Sequence, residues 1–307
     1  MDTQGSAPQA SINIDVLTGF LDSMQSYSSD LIQHLRSGQT LCHYTSLEGA
    51  IGIIGGNDLW LTNTRFSNDD EELRHGHRLV DEVLDEFEKA APDQVRRDSL
   101  SDLRKAVTTA RGEEVYVCCF CEKDNLLSQW RGYAENGGGV SIEFDAAGFA
   151  VVGGPDSPHG LMRLWKVFYK RDQQREIIRK CVDYPYWPGA SDADHIPYIV
   201  DAIQFFMPTF KNGDFSDEQE RRLIFTPRAN SPIKQRFRTH RGLLVPYFSL
   251  KELSLPGAFA GDMLPIKGVS VGPGLYRALN VESARMLLAK SGYLTVPVQA
   301  STTPYRG

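Results

Sequence analysis

A chain of 307 residues is long enough to bury one large core or two modest ones, and its 41% hydrophobic and 23% charged content is ordinary for a soluble globular protein. Its 33 basic and 39 acidic residues give a formal charge of −6, which argues against nucleic-acid binding over the whole surface. A local basic groove at residues 163–179 or 234–241 remains compatible with that charge. The sequence has no signal-peptide pattern and no window with the roughly twenty apolar residues that span a bilayer, so a cytoplasmic protein is expected.

The order of apolar and polar residues predicts the domain organisation. Apolar residues between positions 14 and 35 recur at helical spacing, so residues 1–38 are predicted as an N-terminal helical segment. Residues 39–307 are predicted as a single α+β domain, in which a mixed central sheet is flanked by helices and about residues 69–111 form a helical insertion. The run 114–121 is apolar on both faces and predicts a central strand. Residues 185–197 are predicted as a loop, and residues 293–298 as the last strand.

The first candidate site lies at the ends of two predicted strands near the start of this domain. The run LCHY alternates as a strand, Thr45 or Ser46 can cap a short helix, glycines end that helix, and LWLT returns as a strand. Scaffolds tend to present binding groups at strand ends. The polar residues found there are His43, Tyr44, Thr45, Asn63 and Arg65. Arg65 suits a phosphate because guanidinium donors form a planar fork.

Further candidates lie downstream. Trp130 and Tyr133 share one face of a predicted helix and can stack on a flat ring, although aromatic residues at this spacing also form cores. A glycine run at 137–139 is either a tight turn or a place where backbone approaches a ligand. Glu220, with Glu218 as its neighbour, stands beside a predicted strand. The alternative for Glu220 is an exposed turn carboxylate or an ion-pair partner of the arginines that follow it.

The metal-binding patterns of the chain are weak. Three of the five cysteines fall inside one apolar strand, which suits reduced, packed thiols. Asp69, Glu71, His75 and His77 form an acidic and histidine-rich cluster, which gives an alternative prediction of a metal-dependent phosphodiesterase or nuclease. The two histidines project from mismatched helix faces, so no metal site is expected.

A series of motifs in fixed order resembles a known family. These motifs are HYT, LWLTN, F-x-N-D-x-E-E, SQWRGYAENGGGV, F-x-x-E-x-E-x-R, GPG and S-x-x-PYR. Together they resemble the bacterial domain-of-unknown-function family 2971 over nearly all of residues 40–307. That resemblance by itself implies no activity.

The opening unit also resembles the start of ADP-ribosyltransferase domains, including the DarT-like DNA-modifying enzymes and the RNA 2′-phosphotransferases. The resemblance implies an ADP-ribosyltransferase-like core with NAD as substrate. It places the ribose-contacting histidine at His43 and the catalytic glutamate at Glu220. Trp60, Trp130 and Tyr133 compete for the aromatic that stacks on nicotinamide.

The resulting expectation is an NAD-consuming ADP-ribosyltransferase or NAD glycohydrolase that transfers ADP-ribose to a nucleic acid, a protein or water. By analogy with that superfamily, a toxin or phage-defence effector is the expected context. Two alternatives remain open. One is a sensor that binds a nucleotide or nucleic acid without turnover, and the other is the metal-dependent phosphodiesterase.

Overall fold

The computed structural model describes residue 20 and residues 39–66, 70–110, 115–149, 159–184, 191–228, 230–240, 242–253 and 262–304. The predicted helical segment at residues 1–38 therefore lies outside the described residues except for Phe20, which is fully buried.

The described elements are a mixture of strands and helices. The strands are β1 Thr40–Thr45, β2 Trp60–Asn63, β3 Tyr116–Cys121, β4 Val140–Asp145, β5 Gly160–Lys166, β6 Glu220–Pro227, β7 Arg236–His240, β8 Leu243–Ser249, β9 Ile266–Val271 and β10 Val298–Ala300. The helices are α1 Leu47–Ala50, which continues as a π-helical turn Ile51–Gly55, α2 Asp70–Ala90, α3 Gln94–Thr109, α4 Leu127–Tyr133, α5 Arg171–Asp183, α6 Asp192–Phe206, α7 Leu250–Leu253 and α8 Arg277–Lys290. Short 3₁₀ turns lie at Thr64–Phe66, Glu135–Gly137, Ala146–Phe149, Met207–Thr209 and Gly213–Glu218.

Ten described strands form one mixed sheet in the order β10-β9-β4-β1-β3-β2-β8-β7, and β6 pairs with β3 and β5 outside this path. Strands β9 and β10 run parallel, while the pairs around β3 are antiparallel. Helices flank the sheet, so the predicted α+β class with a mixed central sheet is confirmed. The run 114–121 is indeed central, because β3 has hydrogen-bonded neighbours on both edges.

Two hydrophobic cores lie on opposite faces of the sheet. The first face packs against α1, α7 and α8, and it includes Tyr116, Cys118 and Phe120 of β3. The second face packs against α2, α3, α5 and α6, and it includes Val117 of β3. The predicted helices within residues 69–111 are α2 and α3, which belong to this second layer.

One edge of β3 is shared by two strands. Strand β1 pairs with it at Cys121, and β2 pairs with it at Val117 and Tyr116. Between these two pairings, the edge of β3 around Cys119 bonds to neither strand. We call this interval the gap between β1 and β2.

Two local predictions are wrong. Residues 192–197 fall within the predicted loop, but α6 begins at Asp192 because Ser191 and Asp194 form a capping box that satisfies the first backbone N–H groups. The last strand is predicted at residues 293–298 but is observed at Val298–Ala300, because a turn occupies the residues before it.

Candidate functional site

The middle of β3 carries an exposed side chain. All residues of this strand are buried except Cys119. Because β3 has partners on both edges, a side chain at its centre reaches solvent only where the layer above the sheet is open. Cys119 is in register with Arg222 of β6, and both lie on the second face. The opening is therefore located on the second face at Cys119.

Tyr133 and Glu218 lie beside this opening. Tyr133, the last residue of α4, keeps 42% of its surface exposed, and its hydroxyl donates to Glu218 Oε1 at 3.4 Å. Burial and the charge of Glu218 raise the pKa of Tyr133, so the phenol stays protonated and acts as a donor. Tyr133 also interacts electrostatically with Glu220 and Cys119, which places these four residues in one cluster.

Glu220 is buried within an ionic cluster at the base of this opening. Arg222 donates to both carboxylate oxygens at 2.7 and 3.0 Å, and Lys211 Nζ donates to Oε2 at 3.0 Å. The thiol of Cys119 also donates to this carboxylate. Burial alone would raise the pKa of Glu220, but the charges and hydrogen bonds of Arg222 and Lys211 outweigh it and lower the pKa to about 2. Glu220 is therefore a fixed negative charge at physiological pH.

His43 reaches the same strand from the gap between β1 and β2. Its Nδ1 lies 2.8 Å from the backbone carbonyl of Cys119. Since a carbonyl only accepts, Nδ1 carries the proton of a neutral ring. Burial lowers the pKa of His43, although the hydrogen bond to Cys119 opposes part of that effect. Nε2 then presents a lone pair, and it has no hydrogen bond to the residues that the structure describes.

The strand register places the side chains of His43 and Glu220, the two predicted catalytic residues, on opposite faces of the sheet. Cys42, Cys121 and Glu220 are in register across β1, β3 and β6, so their side chains share the second face. His43 follows Cys42 and points to the first face, where its ring packs edge-on against Phe120 at 5.9 Å. The structure thus brings Glu220 together with Tyr133, whereas His43 contacts only the backbone carbonyl of Cys119 in this cluster.

Tyr44 and Trp130 are buried rather than presented to a ligand. They pack edge to face at 4.9 Å in a small core with Cys42 and Cys121. The Tyr44 hydroxyl accepts from the backbone N–H of Leu126, and Trp130 Nε1 donates to a side-chain oxygen in the loop before α4. Their polar atoms position α4, and so they hold Tyr133 in place.

The other predicted ligand-binding residues have different surroundings. Thr45, half-buried, ends β1 beside Gly139, whose added Cβ would collide with the Thr45 carbonyl oxygen. Asn63 is buried, and its Oδ1 accepts from the backbone N–H of Arg65 at 3.0 Å. Arg65 itself is exposed. These three residues shape the ends of β1 and β2.

The glycine run at residues 137–139 packs against the backbone of a second loop and does not line an open site. The carbonyls of Gly137 and Gly139 accept from the N–H groups of Gly274 and Gly272, each at 2.9 Å. A Cβ added at Gly272 would collide with the Gly137 carbonyl oxygen. The GGG and GPG motifs therefore allow two loops to pack closely and anchor the chain that follows Tyr133.

The acidic and histidine-rich cluster is only partly described. Asp69 lies outside the described residues, as does the side chain of Glu71. His75 Nε2 contacts Gln174 Oε1 at 2.9 Å. Within the described ranges, no three His, Cys, Asp or Glu side chains form a group that could hold a metal ion.

Sequence reasoning missed Cys119 and Lys211 as parts of the site, and it named Arg222 only in the alternative that pairs Glu220 with the arginines after it, a pairing that the structure shows. The E-x-R spacing already indicated that Glu220 and Arg222 share one strand face. No signal in the sequence identified the opening at Cys119, because that depends on which helices cover the sheet.

Comparisons with known proteins give a family match over part of the chain but no activity. Residues 129–223 match the family model described as Protein of unknown function (DUF2971). This match confirms the family resemblance over the segment that contains Tyr133, Lys211 and Glu220. No curated protein and no solved structure matches the chain. Among the described residues, no helix has the length and apolar character needed to cross a membrane.

Proposed function

We propose, for a chain whose residues 129–223 belong to a family without an assigned activity, that it cleaves the N-glycosidic bond of NAD at the Cys119 opening. It would act as an ADP-ribosyltransferase or as an NAD glycohydrolase with an ADP-ribosyltransferase-like core. The supporting observation is the cluster that an ionised carboxylate, Glu220, and an exposed aromatic, Tyr133, form at Cys119, whose backbone carbonyl His43 contacts from the other face of the sheet.

The proposed reaction uses Glu220 electrostatically. The bond between ribose C1′ and the nicotinamide nitrogen breaks, its electron pair goes to nicotinamide, and positive charge develops on the ribose. A fixed carboxylate near that charge lowers the barrier. The incoming hydroxyl, amine or water bonds to C1′ and releases a proton. Glu218 accepts this proton, because its carboxylate pairs with one cation, Lys211 at 2.6 Å, whereas that of Glu220 pairs with both Lys211 and Arg222.

His43 and Tyr133 orient the ligand in this proposal. The Nε2 lone pair of His43 accepts a hydrogen bond from a ribose hydroxyl, which is the reverse of donation by a protonated ring. The exposed ring of Tyr133 stacks on nicotinamide. Because His43 points to the first face, this contact requires a ribose hydroxyl that extends past the edge of β3 between β1 and β2.

The experiment is an assay of nicotinamide release from NAD by the purified full chain, with water, protein or oligonucleotide as acceptor. Glu218→Gln and Glu220→Gln are each expected to lower the rate about 100-fold or more. Asp217→Asn, an exposed carboxylate in the same turn, is the matched control and should retain activity. Circular dichroism establishes that each variant is folded. Absence of release by the unaltered protein with every acceptor would contradict the proposal.

A second candidate is a nucleotide sensor without turnover. It is favoured because both carboxylate oxygens of Glu220 already accept hydrogen bonds from Arg222 and Lys211. The sensor predicts saturable binding of NAD with no product over hours, so the same assay combined with calorimetry separates the two functions.

The expected biological context follows from the chemistry. An enzyme that consumes NAD without regulation would harm its own cell, which fits a toxin or a phage-defence effector. Expression in bacteria should then lower cellular NAD, and Glu218→Gln should prevent that loss.

A further inference from the structure

A second group of side chains lies on the same face, next to the Cys119 opening. The rings of Trp60 on β2 and Tyr247 on β8 stack at 4.5 Å with 29° between their planes. Trp60 Nε1 donates to Asp58 Oδ2 at 3.2 Å, which fixes the orientation of the indole. Trp60 nevertheless keeps 43% of its surface exposed. The indole is therefore an aromatic surface of fixed orientation that remains partly exposed.

Arg238 on β7 adds an uncompensated charge to this group. Its guanidinium lies 5.7 Å from the centre of the Trp60 ring, and one Nη donates to Thr62 Oγ1 at 3.2 Å. Its Nε is buried and has no hydrogen-bond partner, and Arg238 forms no ion pair with any carboxylate that the structure describes. Burial lowers the pKa of Arg238. By contrast, Arg236 on the same strand pairs with Glu252.

A partly buried guanidinium without an anion is an unfavourable arrangement unless a ligand supplies the charge. Arginine binds phosphate groups in planar, two-point geometry, and no carboxylate that the structure describes competes for the donors of Arg238. The exposed indole beside it suits a nucleobase. Together they match a ligand that carries a base and a phosphate close together.

We propose that Trp60, Tyr247 and Arg238 bind the ADP half of a dinucleotide, with the diphosphate on Arg238 and the adenine on Trp60. This inference rests on the proposed function, because the other half of the ligand would occupy the Cys119 opening. Thr62, which Arg238 contacts, is in register with Val117, two residues before Cys119. From strand spacing and rise, Thr62 is roughly 8 Å from Cys119 across the sheet. A diphosphate there leaves the reacting ribose at the opening.

The charge distribution favours a small nucleotide over a nucleic-acid strand. A polynucleotide is held by a track of several cations along its backbone. Here Arg236 is already paired with Glu252, the formal charge of the chain is −6, and Arg238 is the cation that lies over the Trp60 ring. One such cation suits one diphosphate.

The test measures binding of ADP-ribose, which lacks the bond to be cleaved, to the full chain by calorimetry. Arg238→Gln is expected to weaken binding about 10-fold or more, and Trp60→Ala about 10-fold. Trp60→Phe should restore most of the affinity, which separates stacking from folding. The matched controls are Arg236→Gln on the same strand and Phe237→Ala, an exposed aromatic on the neighbouring residue. Both should bind ADP-ribose as the unaltered protein does.

The outcomes separate this inference from the proposed function. Unchanged ADP-ribose affinity in folded Arg238→Gln and Trp60→Ala overturns the inference even if NAD is cleaved. Tighter binding of a single-stranded oligonucleotide than of ADP-ribose also overturns it. Loss of ADP-ribose binding in both variants supports the inference even if no nicotinamide is ever released.

Discussion

His43 Nδ1 donates to the carbonyl of Cys119 at 2.8 Å, where neither β1 nor β2 provides a backbone partner. A side chain thus satisfies a polar group that the divergence of two strands leaves without a ladder bond. The same contact fixes which imidazole nitrogen faces outward. The position of the ring is therefore set by the sheet and does not require a ligand.

The lowered pKa of His43 predicts a pH dependence of stability. In the unfolded chain the ring titrates near the ordinary value of 6.5, whereas in the folded protein its pKa is lower because of burial. Below 6.5 the unfolded state binds more protons, so the free energy of unfolding falls as pH decreases. The contribution is complete above pH 6.5 and is lost on acidification. Denaturant unfolding between pH 5 and 8 measures it.

The matched variant for that measurement is His43→Asn, which keeps a donor for the Cys119 carbonyl but does not titrate. It should lose part of the pH dependence seen in the unaltered protein. Identical pH profiles for His43→Asn and the unaltered protein would contradict a lowered pKa of His43 in the folded state.

Thiol labelling should detect the opening directly. Cys119 is exposed, while the other four cysteines are buried. Burial raises the pKa of Cys42 and Cys118 to about 12 and that of Cys121 to about 11, so these thiols are poor nucleophiles. Iodoacetamide on the native protein is expected to modify Cys119 first, as read by peptide mass spectrometry. Saturating ADP-ribose or NAD should slow that modification. Labelling that spreads evenly over the five thiols would rule out a selective opening at β3.

Glu220 should matter for stability as well as for activity. Glu220→Gln leaves Lys211 and Arg222 buried with reduced compensation, so we expect the free energy of unfolding to fall by about 3 kcal/mol or more. The loss should be visible at pH 7 by urea denaturation. The ionic contribution is present above the ordinary pKa of about 4.5 and decreases as pH falls toward the folded-state pKa of about 2. Asp217→Asn is the control, and a Glu220→Gln protein as stable as that control would refute the buried ion pairs.

The contact between the two glycine loops gives a test of packing. Gly272→Ala places a methyl group against the Gly137 carbonyl oxygen, so the backbone must shift. We expect a loss of about 1–3 kcal/mol of unfolding free energy. Gly132→Ala is a matched control, since a Cβ there meets no atom within 4 Å and α4 gains a better helix former. Thermal melts of the two variants should therefore shift in opposite directions.

Much of the scaffold is readable from local sequence. The helix after β1 begins as predicted, with the Ser46 hydroxyl accepting from the Gly49 N–H at 3.0 Å. The apolar run at residues 114–121 correctly predicts the central strand. Local rules suffice in these places because caps, glycines and alternation act over a few residues. They fail at α6, where the proline-rich approach to Ser191 suggests a loop but a capping box starts a helix.

The candidate site depends on contacts between distant parts of the chain, and local sequence patterns predict it only in part. Trp130 and Tyr133 are equivalent in helical spacing, yet one is fully buried and the other is exposed, because only Trp130 faces the small core of Tyr44. The hydrogen bond between Lys211 and Glu220 forms across a turn, and no periodic pattern in the sequence predicts it. No local pattern indicates that Cys119 stays uncovered.

The divergence of β1 and β2 from one edge of β3 has a consequence for how such a protein can vary over evolution. Within the described sheet, β10-β9-β4-β1 forms one wing and β2-β8-β7 forms another, and both wings bond to β3. Insertions at the outer margins would leave the aperture between the wings unaltered. A single inserted residue in β3 would shift one wing past the other and change the aperture's width. We therefore expect relatives to differ in length at the sheet margins and to keep the length of β3 constant.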